Sequence, residues 1–157
     1  MSDIALLQRA RDGAKSLHLH SEIESLPNVP VDCASLKGKK IVLLDDSPDV
    51  FAAFFLPLFA ATEGACSFLW HQNESQQELI ERVTQGDIVL IDEYLANNMH
   101  GHTLVPELLK RKPNLTCIGF SNTARKESIF LAAGAHGFVT KDPGDPWGTL
   151  KRVAAII

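Results

Sequence analysis

The sequence predicts an α/β domain built on a doubly wound parallel sheet. Strand-like and helix-like patterns alternate five times between Ile41 and Ile157. The strand-like segments are continuous apolar runs, which is typical of strands that helices cover on both faces. Three of these runs end in charged residues, and the carboxyl ends of parallel strands are where such sheets bind ligands. The predicted fold class therefore also predicts the position of a functional site.

Five apolar runs are predicted to form the strands. They are residues 41–44, 66–70, 87–91, 115–120 and 137–140. Right-handed crossovers between successive parallel strands place helices on both faces of a single sheet. A five-stranded sheet of this size typically has the flavodoxin-like order 2-1-3-4-5, whose ligand crevice opens between strands 1 and 3.

The segments that follow the strands carry helical patterns. Helices are predicted at residues 49–59, 74–84, 103–112, 124–133 and 147–156. Pro48 suits the first turn of the first of these helices. Pro57, inside the same helix, is expected to kink or shorten it. Gly134 follows the fourth helix, as expected of a residue that ends a helix.

The N-terminal part of the chain differs in composition from the rest. No aromatic residue precedes Phe51, although eight Phe, two Trp and one Tyr lie at or after it. Residues 2–26 carry apolar side chains at roughly helical spacing, and Pro27 and Pro30 then interrupt the pattern. We predict a helical extension and linker at residues 1–36 and the α/β domain at residues 37–157. The apolar stripe of the extension could dock on its own domain, form a homodimer through the N-terminal helix, or belong to a larger architecture.

Composition argues against several classes of function. The formal net charge of -4, without a basic stripe, argues against direct binding to nucleic acid. No run approaches the ~18 apolar residues of a membrane span, and no signal-peptide pattern follows Asp3. Cys33, Cys66 and Cys117 lack metal-binding spacing, and reduced thiols fit the cytoplasm. We expect a cytoplasmic protein that binds neither nucleic acid nor membranes.

Polar residues at four strand ends indicate a site for a divalent cation and a phosphoryl group. Asp45 and Asp46 follow the first strand, Asp92 the third and Lys141 the fifth. Neighbouring carboxylates repel one another, and Mg²⁺ relieves this repulsion because it prefers hard oxygen ligands. Lys141 suits a phosphate oxygen, and Ser121, at the end of the fourth strand, offers a hydroxyl donor. The set predicts phosphoryl transfer to a carboxylate nucleophile.

Each of these residues alone has a simpler structural explanation. Asp46 or Ser121 could cap the helix that follows it, and Lys141 could be a solvated loop residue. Their coincidence at the ends of four strands of one sheet favours the functional interpretation. His100 and His102 lie only two residues apart in a loop, which is poor spacing for a transition metal without a third ligand.

The five residues at the strand ends resemble the phosphorylation site of response regulator receiver domains, the CheY-like family of two-component signal transduction. They are Asp45, Asp46, Asp92, Ser121 and Lys141. The resemblance covers residues 39–157. It implies that Asp92 is the phosphoacceptor and that the three aspartates hold Mg²⁺. It also implies a phosphoprotein that catalyses only its own phosphoryl transfer and dephosphorylation.

The resemblance implies further roles around the site. The backbone carbonyl of Tyr94 would complete the protein ligands of Mg²⁺, and Ser121 would be the switch hydroxyl. Phe138, three residues before Lys141, falls at the aromatic switch position, where the ring turns inward when the hydroxyl moves toward the phosphoryl group. A histidine kinase or phosphotransfer protein would donate the phosphoryl group. A downstream protein target would bind the surface of the last strand and the helices beside it.

The chain departs from the family pattern on both sides of the site. Ala96 stands where the family usually has proline, and Gly101 comes nine residues after Asp92 instead of eight. The loop is therefore one residue longer. Asn122 stands where a small residue is usual, and we expect it to narrow access to the phosphoryl group and change the dephosphorylation rate. These departures motivate an alternative function, a receiver-like interaction module that works without phosphorylation.

Overall fold

The five apolar runs form one parallel sheet in the computed structural model, which describes residues 2–20 and 22–157. The strands are β1 (Ile41–Asp45), β2 (Ser67–Trp70), β3 (Ile88–Ile91), β4 (Thr116–Ser121) and β5 (Gly137–Thr140). Their order in the sheet is β2-β1-β3-β4-β5, which confirms the predicted flavodoxin-like arrangement. Leu44 pairs with Ile91, so β1 and β3 end side by side.

Helices cover both faces of this sheet. They are α1 (Asp3–Ser16), α2 (Pro48–Thr62), α3 (Gln76–Val83), α4 (Leu104–Arg111), α5 (Glu127–Ala132) and α6 (Pro146–Ile156). Leu43 packs in the core beneath α2 and α6, whereas the next residue, Leu44, packs in the core beneath α3, α4 and α5. Because successive strand side chains point to opposite faces, a strand covered on both sides is apolar at every position.

Pro57 does not end or shorten α2, and this part of the prediction was wrong. The helix continues past it to Thr62. A proline inside a helix removes one backbone hydrogen bond and costs roughly 3 kcal/mol. Burial of aromatic rings on two sides of the helix offsets this cost, because Phe54 packs in the sheet core and Phe55 and Phe59 pack beneath α1.

The helical pattern predicted for residues 2–26 forms a helix only as far as Ser16. Leu17 closes α1, and His18 takes a left-handed conformation with φ of 59°. Leu17 and Leu19 then both pack against the aromatic rings beneath α1. The helix ends in a left-handed cap: the backbone N–H of Leu19 donates to the carbonyl of Ala14 at 2.8 Å, and that of His18 donates to the carbonyl of Lys15 at 3.0 Å. Ser21, within the predicted stretch, lies outside the described residues.

The apolar stripe of α1 docks on α2 of the same chain. Ala10 and Ala14 are fully buried in a cluster with Phe55 and Phe59. The following segment leads into a short 3-10 helix (Val31–Leu36), which contributes Cys33 and Leu36 to the core beneath α2 and α6. The segment before β1 is therefore packed along the domain rather than extended from it.

The helices and the cysteines bear on two of the predictions made from composition. None of the helices formed by residues 2–20 and 22–157 has the length and apolar character that a membrane crossing requires. Cys33, Cys66 and Cys117 are free. Burial raises the pKa of the Cys66 thiol to about 11 and that of Cys117 to about 12, so both thiols are protonated at neutral pH.

Candidate functional site

The carboxyl ends of β1, β3, β4 and β5 meet at one edge of the sheet and bring the predicted site residues together. The backbone N–H of Asp92 donates to the carbonyl of Leu44 at 3.0 Å, and that of Lys141 donates to the carbonyl of Ser121 at 2.8 Å. These bonds continue the ladder beyond the strand ends. They extend the pairing of the sheet to Asp92 and Lys141. Asp45, Asp92, Ser121 and Lys141 are all buried.

Lys141 bridges two of the aspartates. Its Nζ donates to Asp45 Oδ2 at 2.7 Å and to Asp92 Oδ1 at 2.9 Å, and its side chain is 6% exposed. Charge-assisted hydrogen bonds of this length are the strong ones in proteins. The predicted proximity of the strand-end acids and the lysine is thus observed as direct contact.

The turn from β1 into α2 orients the Asp45 carboxylate. Its Oδ1 accepts hydrogen bonds from the backbone N–H groups of Asp46 at 2.8 Å and of Ser47 at 2.9 Å. Its other oxygen accepts from Lys141. Asp45 is therefore held on both sides, while Asp46 lies half-buried at the wall of the open cavity.

The three aspartates fit a divalent cation. One carboxylate oxygen from each of Asp45, Asp46 and Asp92 can be chosen so that all lie within 4.8 Å of one another. Opposite oxygens around Mg²⁺ are separated by roughly 4 Å, twice the Mg–O distance, so a small adjustment brings all three into one shell. Hard carboxylate oxygens are also the donors that this cation prefers.

The site carries more negative than positive charge, because Lys141 is close to the carboxylates of Asp45, Asp46 and Asp92. Burial, followed by the Asp45 carboxylate, raises the pKa of Asp92 to about 6 against the opposing effect of Lys141. Burial and the Asp45 carboxylate also raise the pKa of Asp46. A bound cation would reverse both effects, since it favours the ionised form of each acid.

Ser121 offers an unused hydroxyl beside these charges. Its side chain is completely buried, and its Oγ has no hydrogen-bond partner within residues 2–20 and 22–157. Buried polar atoms in native proteins are nearly always hydrogen-bonded, so such an exception needs an explanation. A hydroxyl at the end of β4, next to Lys141, is suited to an oxygen of a group that Asp92 carries.

An open cavity of about 360 Å³ lies above the acids. It is lined by Asp46, Ser47, Asp49, Val50, Asp92, Tyr94, Asn122, Lys141 and Pro143. Tyr94 is half exposed at its wall, so the predicted carbonyl ligand belongs to a residue that reaches the site. Asn122 is exposed and also lines the cavity, as its predicted effect on access requires. The contribution of the Tyr94 carbonyl to metal binding stays a prediction.

The longer loop after Asp92 folds into a tight reverse turn. Tyr94 and His100 pair in an isolated antiparallel bridge, and Asn97 and Asn98 at the tip have φ angles of 59° and 58°. Asparagine tolerates this left-handed region better than most residues. The turn accommodates the additional residue. The loop ends at Gly101, where only glycine fits because a Cβ would overlap the backbone carbonyl of Asp92.

His71 anchors this loop, a role that sequence reasoning missed. Its ring is buried, and Nδ1 accepts a hydrogen bond from the backbone N–H of Ala96 at 3.1 Å. Nε2 lies 3.1 Å from the carbonyl oxygen of Glu74 and donates to it. These two bonds define a neutral imidazole with its proton on Nε2. Nothing local in the sequence signals a contact between residues 25 positions apart.

Glu93 is a second residue that sequence reasoning missed. Its carboxylate is 1% exposed and accepts hydrogen bonds from the backbone N–H of His102 at 3.1 Å and from the ring Nδ1 at 2.8 Å. The carboxylate of the preceding residue, Asp92, contacts Lys141 instead. The sequence places the two acids side by side and does not show which of them enters the site, since the adjacent acids Asp45 and Asp46 both do.

Phe138 lies half-buried on the sheet face covered by α4 and α5. Its ring centroid is 5.9 Å from that of Phe130. Both rings pack over Gly119, where a Cβ would overlap each of them. The Phe138 ring therefore packs over β4 at Gly119, which is two residues before Ser121 in the same strand. Its role as a switch stays a prediction.

Comparisons with known proteins address the fold. No protein-family model matches the sequence, and neither does any curated protein. A putative response regulator from Chloroflexus aurantiacus matches with a TM-score of 0.56 and 18% identity over 76% of this chain and 99% of that one. The receiver domain of the histidine kinase CKI1 from Arabidopsis thaliana, complexed with Mg²⁺ and BeF3⁻, matches with a TM-score of 0.53 and 18% identity over 81% and 97%. The BeF3-activated DrrB receiver domain matches with a TM-score of 0.55 and 16% identity over 73% and 95%.

These similarities confirm the predicted resemblance at the level of the fold. These three solved structures are receiver domains or a response regulator, and the match covers 95% or more of each of their chains. The chain therefore has the receiver-domain fold with an N-terminal helix added. At these low identities the similarity carries no information about the chemistry of individual residues, which depends on the site itself.

Proposed function

We propose that this protein is a phosphorylatable receiver, which accepts a phosphoryl group on Asp92 with Mg²⁺ and changes a protein-interaction surface in response. The observation that carries the proposal is the buried arrangement around Asp92. Lys141 contacts this carboxylate, and two further aspartates share the site. The Ser121 hydroxyl beside Lys141 has no hydrogen-bond partner among the residues that the structure describes. At the level of the fold, two similar receiver domains solved with BeF3⁻, one of them also with Mg²⁺, support this class of function by analogy.

The site residues have distinct roles in the proposed reaction. Asp45, Asp46 and Asp92, with the backbone carbonyl of Tyr94, would hold Mg²⁺. When bound, the cation would neutralise negative charge on the carboxylates and the transferring group. An oxygen of Asp92 forms the new P–O bond as the P–N bond to the donor imidazole breaks, and the imidazole takes up a proton as it leaves. Lys141 and Ser121 then donate to phosphoryl oxygens.

The proposed output is a shift in the population of two conformations. Ser121 moves toward the phosphoryl group, and Phe138 moves with it. A downstream protein would bind the surface of β5, α5 and α6, where Leu131 is 46% exposed. A histidine kinase or phosphotransfer protein in the cytoplasm would supply the phosphoryl group. A homodimer through α1 would have to use its solvent face, which includes Ile4, because the opposite face is packed on α2.

A mass measurement tests this function. Wild-type protein is incubated with Mg²⁺ and a small acyl phosphate, and we expect a gain of one phosphoryl group that Asp92→Asn abolishes. Asp12→Asn, at an exposed acid on α1, is the matched control and should retain the gain. Wild-type protein that binds Mg²⁺ but gains no mass would overturn the proposal. That result would leave the phosphorylation-independent interaction module, which the buried acid set does not favour because unused like charges are costly to bury.

The metal ligands are tested by a Mg²⁺ titration. Asp46→Ala removes one hard oxygen ligand, so we expect Mg²⁺ affinity to fall by an order of magnitude or more. Asp49→Ala removes a neighbouring carboxylate that lines the same cavity but lies outside the aspartate trio, and it should change the affinity far less. Isothermal titration calorimetry measures both. Equal effects of the two substitutions would contradict the assigned ligand set.

A further inference from the structure

A second group of polar side chains adjoins the phosphoacceptor, centred on the buried carboxylate of Glu93. It comprises Glu93, His102 and Lys126, and we refer to it as the Glu93 cluster. The carboxylate of Asp92 contacts Lys141, whereas that of the next residue, Glu93, contacts His102. Lys126 Nζ lies 3.9 Å from Glu93 Oε2. Burying a carboxylate costs free energy unless hydrogen-bond donors or cations compensate its charge. The distances from Glu93 to His102 and to Lys126 therefore show how far each of them compensates it.

The Glu93 cluster joins the two loops that flank the site. His102 lies in the 3-10 turn before α4 (Gly101–Thr103), in the loop after β3. Lys126 ends the 3-10 turn Ala124–Lys126, in the connection between β4 and α5. That connection begins directly after Ser121, the hydroxyl proposed to move toward the phosphoryl group. Glu93 therefore lies between the two loops: it binds His102 of the loop after β3 and lies near Lys126 of the connection after β4, which is proposed to move.

His102 and Lys126 lie at different distances from the Glu93 carboxylate. His102 is held close, with Nδ1 at 2.8 Å from both carboxylate oxygens and the backbone N–H also donating. Its ring also packs against Phe130, with centroids 6.4 Å apart. Lys126 Nζ, at 3.9 Å, is beyond hydrogen-bond distance and lies instead 4.9 Å above the ring centroid of Tyr94. This ammonium has two alternative partners that a shift of about 1 Å would exchange.

We propose that Glu93 is a positioning residue for the switch, which draws Lys126 into a hydrogen-bonded ion pair when the connection after β4 closes on a phosphorylated Asp92. The inference rests on the proposed function and adds a residue to it. In the open state the ammonium lies over Tyr94, and in the closed state it donates to Glu93. Because the ion pair forms fully only in the closed state, it stabilises that state relative to the open one. Closure would also withdraw the cation from Tyr94, at the wall of the cavity.

A double-mutant cycle on the closed-state population tests the inference. Wild type, Lys126→Met, Glu93→Gln and the double variant are saturated with Mg²⁺ and beryllofluoride. The amide NMR shifts of Ser121 and Phe138 then report the closed-to-open ratio. We expect each single substitution to lower this ratio roughly fivefold or more, and the double variant to be no worse than either. Lys126→Arg should restore the ratio. Lys110→Met, at an exposed lysine on α4, should leave it unchanged.

The outcomes separate this inference from the proposed function. Equal ratios in wild type and Lys126→Met, with beryllofluoride bound to both, overturn the inference and leave the proposed function standing. A wild-type protein that gives no response to Mg²⁺ and beryllofluoride overturns both. If Glu93→Gln fails to fold, the comparison of Lys126→Met with Lys126→Arg decides, because both variants keep the buried Glu93 carboxylate and its contact with His102.

Discussion

The Asp92→Asn variant is expected to be more stable than the wild type at neutral pH without divalent cations, by about 1–3 kcal/mol. Burial and the Asp45 carboxylate raise the pKa of Asp92 from 3.8 to about 6. Each unit of such a shift corresponds to about 1.4 kcal/mol between the two protonation states. Asparagine removes the buried charge but also removes one partner of Lys141, so the net gain is smaller than the full shift.

The pH dependence of this difference has a definite sign. The folded protein binds a proton at Asp92 more readily than the unfolded chain, so wild-type stability falls as the pH rises from about 4 to about 6. Asparagine does not titrate. The advantage of the variant should therefore be small near pH 4, grow up to pH 6 and stay constant above it. Chemical denaturation from pH 4 to pH 8 measures it, with Asp12→Asn as the control.

Mg²⁺ should reverse the order of the two proteins. A ligand that binds only the folded state stabilises it in proportion to the logarithm of its concentration over Kd, and the variant lacks one ligand to the cation. At saturating Mg²⁺ the wild type should equal or exceed the variant. A variant less stable than the wild type at pH 7 without Mg²⁺ would show that the charge of Asp92 is compensated within the protein.

Lys141→Met is expected to lower the free energy of unfolding at pH 7 by about 3–5 kcal/mol, the largest loss predicted for this site. The substitution leaves the buried carboxylates of Asp45 and Asp92 without the cation that contacts both. The loss should shrink as the pH falls, because protonation of Asp92 removes one of the uncompensated charges. It should also shrink with added Mg²⁺.

A second substitution distinguishes lost charge compensation from lost packing. Adding Asp92→Asn to Lys141→Met removes one of the two carboxylates, so the double variant should recover a large part of the loss. Lys151→Met is the matched control, since this 45%-exposed lysine lies 3.9 Å from Asp32 and should contribute within about 0.5 kcal/mol. An additive double variant would contradict the electrostatic explanation.

The core of the candidate site could be predicted because it depends on topology rather than on loop paths. Residues that follow parallel strands lie at the same edge of the sheet, so the positions of the apolar runs were enough to predict that Asp45, Asp92 and Lys141 lie close together. The structure confirms this proximity as two hydrogen bonds to the lysine. The roles of these residues in phosphoryl transfer stay predictions.

The features that sequence reasoning missed depend on contacts between distant segments. His71 and Ala96 meet because two loops run side by side, and nothing in either segment encodes the path of the other. The extent of α2 was missed for a related reason. Pro57 opposes a helix locally, but the packing of Phe54 and Phe55 on two different surfaces outweighs it. Local propensity decides helices only where tertiary packing is weak.

The docking of α1 on α2 bears on modularity. Composition changes sharply before Phe51, yet packing is continuous there, because Leu36 lies in the same core as Ile41 and Phe51. A domain excised at residue 37 would expose Phe55 and Phe59 to water, because α1 packs over both rings. The N-terminal extension and the sheet therefore form one packed unit. Without α1, this face of α2 would be accessible to other proteins. Here α1 covers it, so a partner protein cannot bind there while the extension is docked.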